Sequence, residues 1–599
     1  PERRTLDRRT GRDPLGGTDR IAGLGGRARR GSRDRDAVSG SPGSPPESSR
    51  VWFAGLVERR IGLLFTLFLL LLILAAGRAT WLGTVRADDL RERAVSQQVS
   101  DLEITARRGS VTDRHGAELA VSEDAVTVFA NPFLIKRPDV VARRLARALD
   151  RSASSIARKL SDREAGFVYL GRKLDPEVGE KVDKLEIEGV GTVVEPRRRY
   201  PRSELAAQLL GTTGTDNYGL SGLEQSRERT LRGRNGRRRL VKDALGKPIS
   251  IVEQQRARPG GDLRLTLDAA IQERTEAVLS GVAARHRPKG ATALVLDPRS
   301  GELLALANWP AVDANRAVEA PAWARQNRAV AASYEPGSTF KAFTMAGALE
   351  DDLIEPETSF GLAPTIQVAD REIRESHGRG FVQLSAAEIL AQSSNVGSVT
   401  IGLELGARRF DSWVRRFGFG RGTDVDLPGE AAGIVPDPRD YSGSSMGNLP
   451  IGQGLAVTPI QLAAAYAGIA NGGVVRRPHV IAGAGSLGRR VVSERTARRV
   501  SRMLEGVLGP GGTAQEAQVP GYRLAGKTGT AQKPDGFGGY SKTKFVASFI
   551  GYAPARNPRL LVAVAVDEPQ GKIYGGEVAA PAFEQIVTFA LPYLRIPPD

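Results

Sequence analysis

Cysteine is absent from the 599 residues. That excludes disulfides, thiolate metal sites and a cysteine nucleophile, and an exported chain of this kind needs no oxidative folding. Histidine is nearly as scarce: His115, His286, His377 and His479 are scattered, and none lies near a serine in a hydrolase motif. A Ser-His-Asp triad is therefore not expected, and the sequence calls for no metal or cofactor. Zinc-finger spacing and aromatic RNP-type runs are missing too, so no nucleic-acid partner is expected despite a net charge of +17. The positive excess is mostly arginine, concentrated toward the N-terminus, and reads as attraction to anionic surfaces, membrane or polymer. Internal repeats are lacking as well.

Long apolar runs are missing everywhere but once. Ile61 to Gly77 carries no charge and is bounded by Arg59-Arg60 and Arg78. With Val57 and Ala79 to Leu82 it reaches the roughly 20 residues that a membrane span needs. Trp52, Phe53 and Trp81 suit the two interfaces. Residues 57–82 are therefore expected to form one transmembrane helix. The segment before it, 1–56, is rich in Arg, Asp, Gly, Ser and Pro without apolar periodicity and is expected to be a disordered tail. Arginines lie close to the span on both sides, so charge does not orient it.

Residues 83–257 are polar and mixed, punctuated by clusters such as Arg108 to Gly116, Arg199-Tyr200-Pro201 and Gly219 to Glu224. They read as turns between short elements, with no reaction centre. Gly260 to Asp268 alternates like a strand and leads into a helix start, marking the door to a second domain, 258–599. There, Ala291–Asp297 and Glu302–Ala307 read as a β-hairpin. Phe545–Tyr552 and Arg559–Val566 form a second apolar pair before a helix over Pro581–Leu591. Strands at both ends with helices between predict an α+β plan of one antiparallel sheet and a helical lobe.

Three short clusters carry the chemistry. Tyr334-Glu335-Pro336-Gly337-Ser338-Thr339-Phe340-Lys341 turns the chain into a helix, with an alcohol in the first turn and an amine three residues on. Ser338 reads as a nucleophile beside a candidate base, Lys341. Gln392-Ser393-Ser394-Asn395 sets a hydroxyl and a carboxamide two residues apart. Gly526-Lys527-Thr528-Gly529-Thr530 precedes the last strand pair. Each is weak alone; S-x-x-K, S-x-N and K-T-G in that order form the set of penicillin-recognising enzymes.

From about residue 60 to 595 the chain resembles a class B penicillin-binding protein of the cell-division type. R-G-x-x-x-D-R-x-G at Arg108 to Gly116 and G-x-x-G-L-E at Gly219 to Glu224 match that family's pedestal, and Ile451-Gly452-Gln453-Gly454 also fits. Ser393-Ser394-Asn395-Val396-Gly397 favours the division type over the elongation type. The resemblance implies a penicillin-binding transpeptidase fold on an elongated, dimerisation-like pedestal (83–257), with the N-terminus cytoplasmic and the catalytic domain outside the cell membrane. It implies a serine-type D,D-transpeptidase that acylates Ser338 with a D-Ala-D-Ala stem peptide, releases D-Ala and is trapped by β-lactams. Lys341 would be the base, Ser393 a proton relay and Asn395 a holder of substrate amides that also positions Lys341. Lys527, Thr528, Gly529 and Thr530 would take the terminal carboxylate, and the N–H groups of Ser338 and Thr530 would form the oxyanion hole. Implied partners are a membrane glycan polymerase of the division complex and other divisome proteins. A β-lactamase, a β-lactam sensor and a catalytically silent scaffold stay as alternatives. A sensor is disfavoured by the lack of H-E-x-x-H, a lactamase by the long pedestal and a scaffold by the intact motifs.

Overall fold

The computed structural model describes residues 48–88, 99–162, 165–242, 248–536 and 539–599. The Arg-rich tail up to residue 47 lies outside them. The chain divides into two units, Pro1–Val95 and Ser96–Asp599. In the first, one helix runs from Ser48 to Thr84 and contains the whole apolar run. Its portion Arg60–Thr84 is, among the described residues, the one helix long and apolar enough to cross a membrane.

The second unit opens with the pedestal. Its longest strand, Glu118–Ala130, pairs antiparallel with Val168–Leu174 on one side and Val190–Arg199 on the other. A separate three-stranded antiparallel sheet is made by Val99–Ile104, Gly236–Lys242 and Pro248–Gln255. The pedestal motifs that read as turns converge on one buried ion cluster. Arg108 reaches Glu224 at 2.8 Å and Glu228 at 2.6 Å, and Arg198 reaches the other oxygen of Glu224 at 2.6 Å. The side chains of Arg108, Arg198 and Glu224 are at most 2% exposed. Two cations and two anions cancel, which is what lets Arg108, Arg198 and Glu224 stay buried beside the partly exposed Glu228. Removing one member strands the others, a loss of about 3–5 kcal/mol. Glu224→Gln is expected to lower the unfolding free energy by that amount, read in urea from midpoint and slope, and an unchanged midpoint would show that the cluster does not hold the pedestal together.

Asp113 carries the pedestal across to the catalytic domain. One oxygen accepts from His115 N and Ala117 N at 2.8 Å each, closing the motif's turn, while the other accepts from Ala269 N at 3.1 Å. Ala269 opens helix α1 (Ala269–His286), which Asp268 caps by accepting from Ala270 N and Ile271 N. The expected strand over Gly260 to Asp268 shrinks to Leu263–Arg264, which pairs parallel with Val111–Thr112. Its alternation comes instead from single bonds to other segments, such as Thr266 N to Val480 O at 2.8 Å.

The catalytic sheet has five antiparallel strands: β1 (Gly290–Leu296), β2 (Leu303–Trp309), β3 (Ala525–Pro534), β4 (Tyr540–Ala553) and β5 (Leu560–Asp567). Their order is β2-β1-β5-β4-β3, so the two hairpins seen in the sequence join through β1 and β5, with Ala563 opposite Leu294. The central strands are buried along nearly their whole length, as strands covered on both faces must be. Helix α1 and the C-terminal helix, Ala580–Tyr593, pack against one side, with Phe583 on Phe549 at 4.7 Å between ring centres. The helical lobe covers the other. Strand β3 forms the sheet's edge, and the lobe faces it across a cleft.

Candidate active site

Ser338 lies where the lobe meets β3. The sequence places it in the first turn of an α-helix; the structure gives a 3-10 turn, Gly337–Phe340, followed by α2 (Lys341–Glu350). A 3-10 turn repeats every three residues, so positions i and i+3 eclipse and Ser338 and Lys341 share one side. The turn is held from three directions. Gly337 N donates to Gly452 O at 3.0 Å, Tyr466 OH to Thr339 O at 2.6 Å, and Thr339 Oγ1 to Pro336 O at 2.8 Å. Gly452 explains part of the I-G-Q-G cluster: a Cβ there would sit 2.2 Å from Gly337 O. Beneath the turn, Phe340 and Phe343 pack on Phe419 at 5.1 and 5.0 Å between ring centres.

Lys341 is fully buried. Its Nζ donates to Ser393 O at 2.6 Å, Asn395 Oδ1 at 2.7 Å and Ser393 Oγ at 3.2 Å. Asn395 Nδ2 donates to Arg374 O at 2.9 Å, which fixes the orientation of its amide. Ser393 adopts φ +59°, a left-handed conformation that a serine takes only when its surroundings impose it, and it aims both its carbonyl and its hydroxyl at the amine. Ser394 caps α3 (Asn395–Leu405) by accepting from Gly397 N. Burial pushes the Lys341 amine down from 10.5 to about 7, with Glu375 pulling the other way. That is roughly 5 kcal/mol in favour of the neutral amine.

Lys527 on β3 is also fully buried, and among the described residues its Nζ reaches only Thr528 O at 3.3 Å and Thr528 Oγ1 at 3.4 Å. Burial and the neighbouring Lys341 hold it well below the usual lysine range. Thr528 and Thr530, on the strand's cleft face, are each engaged: Thr528 Oγ1 is hydrogen-bonded to Thr513 Oγ1 at 2.7 Å, and Thr530 Oγ1 accepts from Gly575 N at 3.0 Å. Gly529 is required by close approach, since a Cβ there would lie 2.3 Å from Ser548 Oγ.

The three clusters thus line one cleft, a cavity of about 900 Å³ bordered by Ser338, Ser393, Asn395, Thr528 and Thr530. Its rims carry His377 and Tyr574, whose rings are 5.4 Å apart. Ser338 Oγ has no hydrogen-bond partner among the described residues and is open to the cleft. The arrangement offers an alcohol, a dry amine that is half-neutral near pH 7, and a second amine lacking a counter-ion. Sequence reasoning missed Glu375 and Arg379, which lie in the loop after the Arg371–Arg374 strand and support Asn395. No periodicity or motif marks that loop.

Residues 291–588 match the penicillin binding protein transpeptidase domain, and residues 103–265 the penicillin-binding protein dimerisation domain. The chain is 34% identical over 531 residues to a probable peptidoglycan D,D-transpeptidase, PenA, of Neisseria meningitidis, covering 87% of this chain and 90% of that one. It belongs to the class B penicillin-binding proteins. Peptidoglycan D,D-transpeptidase FtsI of Escherichia coli is 32% identical over 554 residues, covering 91% of this chain and 94% of its own. Among solved structures, penicillin binding protein 3 of Mycobacterium tuberculosis complexed with ampicillin superposes with a TM-score of 0.64 at 29% identity, over 83% of this chain and 97% of that one. The expected two-domain α+β fold and the serine-type transpeptidase class both hold.

Proposed function

We propose that this class B penicillin-binding protein cross-links peptidoglycan stem peptides at the division septum through an acyl-enzyme on Ser338. The observation that carries the reading is the buried Lys341 amine, held by Ser393 and Asn395 and pushed into the range where it is neutral at working pH. Ser338 Oγ attacks the penultimate D-Ala carbonyl and its proton passes to Lys341 Nζ. The oxyanion is received by Ser338 N–H and Thr530 N–H. Ser393 Oγ, 3.2 Å from Lys341 Nζ, returns the proton to the leaving D-Ala amine. An amine from a neighbouring stem then attacks the ester and releases Ser338. The substrate's terminal carboxylate supplies the anion that buried Lys527 lacks, restoring its charge, while Thr528 and Thr530 hold the carboxylate oxygens beside the Gly529 approach. A β-lactam mimics that terminus and stops at the ester.

In this reading residues 1–56 are a cytoplasmic tail, 57–82 the span, 83–257 the pedestal and 258–599 the extracytoplasmic catalytic domain. The span and pedestal dock a membrane glycan polymerase and other divisome proteins. The S-S-N-V-G cluster and the likeness to FtsI support the septal role over elongation.

The test uses the full chain in detergent, incubated with a penicillin and mapped by mass spectrometry after digestion. A stoichiometric, long-lived adduct on Ser338 is expected. Rapid hydrolysis of that adduct would mark a lactamase, and no adduct a scaffold. Depletion in cells should give filaments with unfinished septa; rounding instead would assign the elongation role.

A further inference from the structure

Glu375 places a carboxylate at the N-terminus of α3, directly behind the S-S-N cluster. Its Oε2 accepts from Asn395 N at 2.8 Å, and its Oε1 from Ser394 Oγ at 2.6 Å and Val396 N at 3.3 Å. Arg379 pairs with the same Oε1 and donates to Ser394 Oγ at 2.9 Å. Ser394 Oγ also accepts from Gly397 N at 3.0 Å, so its one proton and both lone pairs are committed. The Glu375 side chain is 7% exposed. One enclosed anion therefore fixes the middle and last residues of S-S-N, and the last of them, Asn395, holds Lys341 through Oδ1 at 2.7 Å.

We propose that Glu375 is a positioning residue for Lys341: its enclosed negative charge holds Ser394 and Asn395 in register and supplies the counter-charge against which Lys341 takes up and releases the proton of Ser338. The inference rests on the reading of Lys341 as the base. The charged groups facing Glu375 are Arg379 on its own loop and Lys341 on α2, and Lys341 is in turn faced by Lys527 on β3. Burial costs the charged form of Lys341 most, and Glu375 is the group that opposes it. Glu375 itself stays ionised: burial works against it, but Ser394, the Asn395 N–H, Arg379 and Lys341 together hold it below the usual carboxylate range. Without that anion the amine would lose its proton at lower pH, and the loop presenting Ser393 and Asn395 would lose three acceptor contacts.

The experiment is the second-order acylation rate of the full chain in detergent by one penicillin, followed against pH. The rate rises as Lys341 becomes neutral, which gives an acid limb. In Glu375→Gln that limb should move to lower pH by about half a unit or more, because the opposite charge that favoured the protonated amine is gone. The plateau should fall about tenfold through loss of positioning. Glu375→Asp should keep the limb where the wild type has it. Ser394→Asp combined with Glu375→Gln moves the charge by one contact rather than deleting it, and should bring the limb back. If Glu375→Gln melts early, its limb is read at a temperature below that melt. A limb that stays in place or moves upward in Glu375→Gln, or one that fails to return in the double variant, overturns the proposal whatever the plateau does. Loss of reaction in Lys341→Met alongside an unmoved Glu375→Gln limb would sink this inference only; full reaction of Lys341→Met would sink the assignment of the base.

Discussion

Ser338→Ala should bind penicillin without becoming labelled, and it should melt at the wild-type temperature. The second half of that expectation comes from the surroundings of the hydroxyl. Ser338 Oγ has no hydrogen-bond partner among the described residues and faces the cleft, so its removal strands no buried donor or acceptor. The 3-10 turn is held instead by main-chain and neighbouring groups, Gly337 N, Thr339 O and Thr339 Oγ1, none of which the substitution touches. A stability change within about 0.5 kcal/mol is expected. The first half comes from chemistry: no other alcohol in the cleft stands in that turn, and Ser393 Oγ is turned toward Lys341 Nζ at 3.2 Å. The measurement is intact-protein mass after incubation with a penicillin, with a melting curve on the same sample. A mass increase in the variant would remove Ser338 from its role.

How far the sequence foretells all this depends on the range of each interaction. The α+β plan was legible because β1, β5 and the Phe545–Ala553 part of β4 are near-continuous apolar runs and the run in the first helix is longer still, signals carried by adjacent residues. The catalytic clusters were legible for a similar reason. Each is a local turn or strand whose residue types make sense together, and only their meeting needs the fold. What escaped is long-range or defined by burial. Arg108 meets Glu224 across 116 positions, so two motifs legible only as turns meet in one buried ion cluster. The same holds for Glu375, whose four partners include two backbone N–H groups that no residue pattern advertises. The 3-10 turn at Ser338 escaped because i, i+3 spacing fits an α-helix equally well. Alternation misled over Gly260 to Asp268, where only Leu263–Arg264 finds a neighbouring strand and Leu265 to Asp268 are buried one after another.

The two motif lysines should separate sharply when each is replaced. Lys341→Arg keeps a positive charge but cannot give up its proton, so it should react about 10²–10⁴-fold more slowly, the usual worth of a general base. Because a guanidinium in that fully buried site strains the fold, Lys341→Met serves as the companion: it keeps the volume and the dryness, lacks the amine, and should be equally slow. The pH profile adds a sign. Only the neutral amine accepts a proton, so the wild-type rate should fall tenfold per unit below about 7 and level off above it. Lys341→Met should show no such limb. Lys527 is asked for something else, since a carboxylate needs a cation and not a base. Lys527→Arg should therefore retain much of the rate, losing what the larger head costs in a site with no spare room. Deleting the charge should cost about 1.5–3 kcal/mol of charge-assisted hydrogen bonding, roughly ten- to a hundred-fold in acylation. One penicillin, one buffer series and second-order rates for the wild type and the four variants settle it. If Lys341→Arg reacts as fast as Lys527→Arg, the amine that takes the proton of Ser338 is not Lys341.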